Sequence, residues 1–307
     1  MGKAIRAQVR IILPDIGAFD PMPQTKHPGN TLQLLSSVTV AHLPARHPHA
    51  HKGDFGHVLV VGGDLGTGGA VLLSAEAALR CGAGLVSVAT RPEHLPASLA
   101  RLPEVMCLGV QSANQLVGVL ERATVLVVGP GLGQAAWGRS LLSAVANAER
   151  PQVWDADALN LLAGTPLALP SGSILTPHPG EAARLLGIST EAVQADRPGA
   201  ARKLARRYNS VCLLKGAGTL VAHPSGQLML CERGHPAMAG AGLGDVLTGV
   251  LAALLAQGLD AWSAGCLGTW LHACAGERLG VEGRGLAASD LAPVIRALLE
   301  EHSACVA

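Results

Sequence analysis

The sequence predicts an α/β fold in which a mostly parallel sheet is covered by helices, and three observations predict it. From His57 onward, short apolar runs that stop at Gly, Asp or Pro alternate with helical pattern, the mark of βαβ units. The chain is 49% hydrophobic but only 2% aromatic, so its core is built from Ala, Val and Leu, which suits close helix-on-sheet packing. Its 307 residues allow one large domain or two small ones.

The elements follow in order. Residues 1–35 lack sustained periodicity and are interrupted by prolines; they are read as an extension of uncertain structure, with 36–307 as the folded domain. The stretch AHLPARHPHAHKGDFGH carries His42, His47, His49, His51 and His57; its prolines and sparse carboxylates suit a solvated linker better than a metal site. HVLVV (57–61) is a short strand ending at a Gly pair, AVLLSAEAALRCGAG (70–84) a glycine-closed helix, and LVSVAT (85–90) the next strand. TVLVVG (124–129), QVWDA (152–156) and SILTP (173–177) repeat the pattern. VCLLKG, TLVAH and QLMLC lie close together and predict an antiparallel meander. Helices are expected over 246–257, over 261–279 and from near Ser289.

Composition excludes several function classes. A net charge of +1 leaves no electrostatic footprint for nucleic acid, and few aromatics leave no stacking platform. The seven cysteines are odd in number and scattered, without a C-x-x-C pair, which reads as reduced and cytoplasmic. The N-terminal apolar stretch is cut by Pro14 and Asp15, too short for a signal segment, and no run approaches the ~20 apolar residues of a membrane span.

Ligands of a parallel sheet gather at the carboxyl ends of its strands, so the loops there carry the chemistry. GGDLGTGGA (62–70) and GPGLG (129–133) suit either tight turns or close approach of a ligand to backbone. TPHPGEAARLLG holds His178 and Glu181 at the mouth of a helix that starts near Gly180. Glu181 either complements the helix dipole or holds Mg²⁺ through water, with Asp155 and Asp157 as the other carboxylates for such an ion. In LLKGAGTLV, Lys215, Gly216, Gly218 and Thr219 combine a cation, free backbone and a hydroxyl, a cradle for nucleotide phosphates or a plain hairpin turn. AGAGLGDVLTG sets glycines and Asp245 ahead of an apolar helix, where unpaired N–H groups attract an anion and a carboxylate serves as cap or base.

Together these motifs resemble the ADP-dependent NAD(P)H-hydrate dehydratases of the ribokinase-like superfamily: HKGDFGHVLVVGGDLGTGGAVLLSAEAALRCGAGLVSVAT, GPGLG, WDADALN, TPHPGEAARLLG, LKGAGT and MAGAGLGDVLTG occur in the family's order over about residues 50–300. The resemblance implies a ribokinase-like three-layer α/β/α sandwich over 36–307. It also implies ADP-dependent dehydration of the (S)-hydrate of NADH or NADPH, giving NAD(P)H, AMP and phosphate, a lyase reaction of metabolite repair. Carried over residue by residue, Asp245 of G-x-G-D is the catalytic base. Lys215, Gly216, Ala217, Gly218, Thr219, Gly242 and Gly244 hold the nucleotide, with ADP as phosphoryl donor. Ala70, Gly131 or Gly133, His178 and Asp245 contact the hydrate, and Glu181 helps organise Mg²⁺. A homotetramer is implied, with no membrane or nucleic-acid partner, and no epimerase domain is expected in front. Two positions depart from the family pattern: His235 stands where Asn is common, and Ala241 where Gly is usual. An ATP-dependent kinase of a vitamin precursor and a non-catalytic nucleotide-binding protein are the alternatives.

Overall fold

The computed structural model describes residues 32–165 and 167–306. Its strands are β1 (Leu32–Leu34), β2 (His57–Val61), β3 (Leu85–Thr90), β4 (Met106–Gly109), β5 (Val125–Val128), β6 (Gln152–Trp154), β7 (Ile174–Leu175), β8 (Val211–Leu214), β9 (Thr219–Ala222) and β10 (Leu228–Cys231). Helices α1 (Gly68–Arg80), α2 (Leu95–Arg101), α3 (Val117–Arg122), α4 (Ala136–Ala146), α5 (Ala156–Ala163) and α6 (Pro179–Leu186) lie among them. They are followed by α7 (Thr190–Ala195), α8 (Arg197–Tyr208), α9 (Leu243–Ala256), α10 (Ala261–Gly280) and α11 (Ala288–His302).

All ten strands form one sheet in the order β1-β10-β9-β8-β7-β6-β5-β2-β3-β4. Only the β8–β9 and β9–β10 pairings are antiparallel, which is the expected meander. The period-2 alternation of a strand sends its residues to two cores. Val58 and Val60 of β2 join the layer formed with α1, α9, α10 and α11, whereas Leu59 and Val61 join the layer formed with α3 to α8. A strand buried on both faces reads as a continuous apolar run, which is why these strands stand out in the sequence.

Two strands do not. The expected extension 1–35 lies outside the described residues as far as Thr31, but Leu32–Leu34 form β1, paired in parallel with Leu228–Leu230 at the sheet edge. Leu35 and Val40 behind it are 5% exposed and belong to the core. The opposite edge strand, β4, has no clean alternation in Met106-Cys107-Leu108-Gly109 and is held by its pairing with β3. Edge strands lack a second neighbour and a second buried face, so their pattern is weak.

The strand order reverses direction beside β2, with β3 on one flank and β5 on the other. This is a topological switch point, and the loops following β2 and β5 are tied together there, Gly63 N–H donating to the Pro130 carbonyl at 2.9 Å and Asp64 N–H to the Gly131 carbonyl at 2.6 Å. Between β5 and β8 lie three strand spacings, about 14 Å. On the first face, α1 and α9 cross closely because Gly249 has no side chain: a Cβ there would stand 2.0 Å from the Ser74 carbonyl oxygen. Both helices therefore begin at the same sheet edge, and Gly242 at the head of α9 abuts Leu73 of α1.

That contact makes a prediction. Gly249→Ala overpacks the α1–α9 crossing and lowers stability by roughly 1–3 kcal/mol, read from the urea midpoint; an unchanged midpoint contradicts it.

Candidate functional site at the carboxyl edge of the sheet

Helix α9 begins on Gly242, whose φ of +84° is left-handed and open to glycine. Among the described residues no side chain caps this end, so the main-chain donors of its first turn are left for another acceptor. Asp245 lies in that first turn. At Gly244 the backbone is approached by two charged side chains: a Cβ there would stand 3.3 Å from Lys215 Nζ and 3.5 Å from Asp155 Oδ2.

Lys215 follows β8, its N–H donating to the Pro177 carbonyl. Its Nζ donates to Asp155 Oδ1 at 2.7 Å, and the Thr176 hydroxyl donates to the same oxygen at 2.8 Å. Asp155 is 2% exposed. It is aimed by Ala156, which adopts a left-handed φ of +47° although it is not glycine; such a conformation costs on the order of 1 kcal/mol and is typical of functional loops. Burial opposes charge on Lys215, but Asp155, Glu181 and Asp245 outweigh it and hold its pKa above the usual lysine value. Burial, reinforced by the Asp155 charge and opposed by Lys215, pushes the Asp245 carboxyl up to about 7.

Glu181 sits one strand away, in the first turn of α6. His178 caps that helix: its Nδ1 accepts from Gly180 N at 3.0 Å, and its own N–H donates to Glu181 Oε2 at 2.8 Å. Burial, partly offset by Lys215, pushes the Glu181 carboxyl up to about 7. Burial and the charges of Lys215 and Arg184 hold the His178 pKa below the usual histidine value. The carboxyl edge thus gathers His178, Glu181, Lys215, Gly242, Gly244 and Asp245, and adds Asp155.

The hairpin loop 215–218 carries Gly216 and Gly218, both left-handed, with Ala217 exposed between them. The Thr219 hydroxyl donates to the Gly216 carbonyl at 3.0 Å, bracing the turn from within. Arg197 of α8 clasps the loop from below, donating to the carbonyls of Leu214, Lys215 and Gly218. On the other flank, Ala70, Gly131 and Gly133 belong to the joined switch-point loops and the helix start beside them. The Thr67 hydroxyl and Asp64 N–H both donate to the Gly131 carbonyl, and Ala70 N–H donates to Thr67. Asp157 accepts from Gly133 N at 2.9 Å and from the Gln134 amide, so it tethers this loop and is not free for an ion. The structure therefore places the hairpin and the switch-point loops on opposite sides of the charged cluster. Ala70, Gly131 and Gly133 do not touch that cluster directly; the Asp155 backbone connects them, packed against Gly129.

The residues fit a hard divalent cation of the kind the sequence implies. Glu181 is 5% exposed, with its carboxyl raised by burial and only partly offset by Lys215. Among the described residues no three His, Cys, Asp or Glu converge to cage an ion; Mg²⁺ is usually held by one or two carboxylates together with water and substrate phosphates. The His-rich linker is used otherwise: His57 Nε2 meets Ser87 Oγ at 2.8 Å, and His42 stacks on His302. Two other concavities, of about 860 and 780 Å³, lie away from this edge and contain none of these residues. The converging charges and open main-chain donors, not hollow volume, locate the site.

Both departures from the motif pattern are accommodated. His235 Nδ1 accepts from Ala237 N at 3.1 Å, the capping role that an Asn side chain fills, and Ala241 is exposed, its methyl clear of the core. Sequence reasoning missed the Asp155–Lys215 pair, Arg197 and the α9 supports from Ser74 and His272. The sheet order, with β6 and β8 on either side of β7, brings Asp155 to Lys215, sixty residues apart.

The NAD(P)H-hydrate dehydratase family model matches residues 58–296. The chain is 51% identical over 259 residues to a bifunctional NAD(P)H-hydrate repair enzyme Nnr of Coxiella burnetii, covering 84% of this chain and 53% of that protein. It is 41% identical over 262 residues to an ADP-dependent (S)-NAD(P)H-hydrate dehydratase of Neisseria meningitidis serogroup B, covering 82% of this chain and 88% of that one. The fold is ribokinase-like. It superposes with TM-score 0.79 and 28% identity on an ADP/ATP-dependent NAD(P)H-hydrate dehydratase from Bacillus subtilis crystallised with ATP and Mg²⁺, covering 89% of this chain and 99% of that one. The chain spans about half the length of the bifunctional relatives it matches.

Two predictions test the cluster. Asp155→Ala strands the Lys215 charge and costs about 3–5 kcal/mol, most of which Lys215→Met on top of it restores; urea unfolding of the single and double variants reads this, and a double variant no better than the single contradicts it. The second concerns pH. Asp245 binds its proton more tightly folded than unfolded, so ionisation between its usual 3.8 and about 7 costs the folded state, and the full cost stands above 7. Asp245→Asn is therefore more stable than wild type at pH 8, with a margin that narrows as pH falls toward 4. Paired urea titrations at pH 8 and 5 check it; a margin that widens on acidification contradicts it.

Proposed function

The chain belongs to the NAD(P)H-hydrate dehydratase family, and from that premise we propose that it performs ADP-dependent dehydration of the (S)-hydrate of NADH or NADPH. The single observation that carries the reading is Asp245, raised to about 7 in the first turn of a helix with open main-chain donors and with the Lys215 ammonium nearby.

The reaction follows from those groups. The hydrate hydroxyl gives its proton to Asp245 while its oxygen attacks the terminal phosphorus of ADP, and the bond to the AMP oxygen breaks. Phosphoryl transfer needs positioning and donors aimed at developing negative charge more than covalent assistance. The N–H groups of Gly244 and its neighbours, with Lys215, supply those donors. A base with a pKa near 7 is ionised enough to accept the proton and basic enough to draw it. The ring nitrogen then expels phosphate and a ring proton departs, restoring the double bond of NAD(P)H. Products are NAD(P)H, AMP and phosphate, equal in atoms to hydrate plus ADP.

Lys215, Gly216, Ala217, Gly218, Thr219, Gly242 and Gly244 bind the nucleotide in this reading. Ala70, Gly131, Gly133 and His178 receive the hydrate, with His178 one strand from the hairpin and the glycines about three strands across, a span suited to a dinucleotide. Glu181 would help hold Mg²⁺, and the ion when bound would neutralise phosphate charge. The seven free cysteines support a reducing cytoplasmic setting. Among the described residues no helix is long and apolar enough to cross a membrane. We assign a homotetramer by the family resemblance alone.

Asp245→Asn keeps ADP affinity within a few-fold, while turnover of the hydrate, followed by recovery of reduced-nicotinamide absorbance, falls by about 10²-fold or more. Near-normal turnover in that variant overturns the role. Wild-type kcat/KM falls off on the acid side with a midpoint near 7, as ionised Asp245 is lost from the free enzyme; a midpoint near 4 contradicts it.

A further inference from the structure

The first turn of α9 is held from behind through its carbonyl groups. Ser74 Oγ, on α1, donates to the Asp245 carbonyl at 2.8 Å, and Thr248 Oγ1 donates to the same oxygen at 2.7 Å. His272, on α10, brings Nε2 to 2.9 Å from the Leu243 carbonyl oxygen. A carbonyl only accepts, so Nε2 carries the proton. Burial pushes the His272 pKa down to about 4, and the Lys215 charge adds to this against the pull of the Leu243 carbonyl, so the ring is neutral at physiological pH.

The Leu243 carbonyl and the Gly244 N–H are the two ends of one planar peptide unit. Fixing the carbonyl fixes the direction of the N–H, and a hydrogen bond to the carbonyl polarises the N–H into a stronger donor, by about 10–30%. At the Gly244 Cα, where this peptide ends, a Cβ would stand 3.3 Å from Lys215 Nζ and 3.5 Å from Asp155 Oδ2, so the donor lies beside the charged cluster.

We propose that His272 is a positioning residue for phosphoryl transfer: its Nε2–H holds and polarises the Leu243–Gly244 peptide so that the Gly244 N–H is aimed at the migrating phosphoryl group. The inference rests on the function proposed above, because it takes the α9 terminus as the seat of the terminal phosphate of ADP. A histidine that merely satisfies a core carbonyl affects stability without discriminating between nucleotides. One that tunes a phosphate donor affects the terminal phosphate and leaves the rest of the nucleotide alone.

The test compares His272→Leu, which removes the donor, with His272→Gln, which returns an N–H at similar reach. Binding of ADP and of AMP is measured by calorimetry, alongside turnover and thermal unfolding. In His272→Leu the preference for ADP over AMP falls about fivefold to tenfold, the worth of one hydrogen bond. AMP affinity stays within about twofold and kcat falls by a similar factor, while His272→Gln recovers both quantities. If His272→Leu does not fold, His272→Asn, whose shorter amide falls short of the carbonyl, takes its place against His272→Gln. An unchanged ADP-over-AMP preference, or a Gln variant as impaired as the variant without the donor, overturns the proposal. Loss of the preference in a protein whose wild type does not turn over the hydrate sinks the proposed function instead and leaves the inference standing.

Discussion

Everything at this site that bears on phosphate depends on where α9 begins. A left-handed glycine starts the helix, no side chain among the described residues caps it, and Asp245 follows in its first turn. The same turn therefore offers unpaired donors, which attract an anion, and a carboxylate, which repels one. That conflict is tolerable only because Lys215 stands beside it and because burial leaves the carboxyl half-protonated near neutrality. A base adjacent to a bound phosphate is stable on these terms and reactive for the same reason.

The remainder of the fold serves to bring that helix end to the right edge. Gly249 lets α1 and α9 cross at backbone contact, and Ser74 reaches from α1 to the Asp245 carbonyl. Strand order then sets the rest: β6 and β7 lie between the hairpin after β8 and the switch-point loops of β2 and β5, so Asp155 and His178 fall in the middle. The buried Asp155–Lys215 pair is costly to desolvate and is weak evidence for stability. Its use is geometric, fixing an ammonium where the backbone at Gly244 needs no side chain to obstruct it.

The sequence made legible whatever is local. Strands buried on both faces appear as apolar runs, so β2, β3, β5 and β8 could be read directly, and the two antiparallel pairings followed from short turns. Asp245, Lys215, Glu181 and His178 could be named because each sits at a strand end or helix start marked by Gly or Pro. Edge strands β1 and β4 escaped, since one-sided burial leaves little periodicity. The α9 start was expected at 246, whereas the helix opens at Leu243; glycine-rich first turns carry no helical pattern. Contacts between distant segments were out of reach altogether. Nothing in WDADALN says which of its two aspartates meets a lysine sixty residues on and which ties down a loop. Nor does LHACAGE reveal that its histidine reaches the head of the preceding helix.

The central claim is spatial: the migrating phosphoryl group sits on the first turn of α9, within reach of the Asp245 carboxyl. A crystal structure of the protein with AMP, inorganic phosphate and NADH bound tests it most directly. The account predicts phosphate oxygens about 2.7–3.2 Å from main-chain N–H groups of residues 243–245, with the AMP phosphate toward residues 215–219. A phosphate bound elsewhere, with the α9 donors facing only solvent, contradicts it.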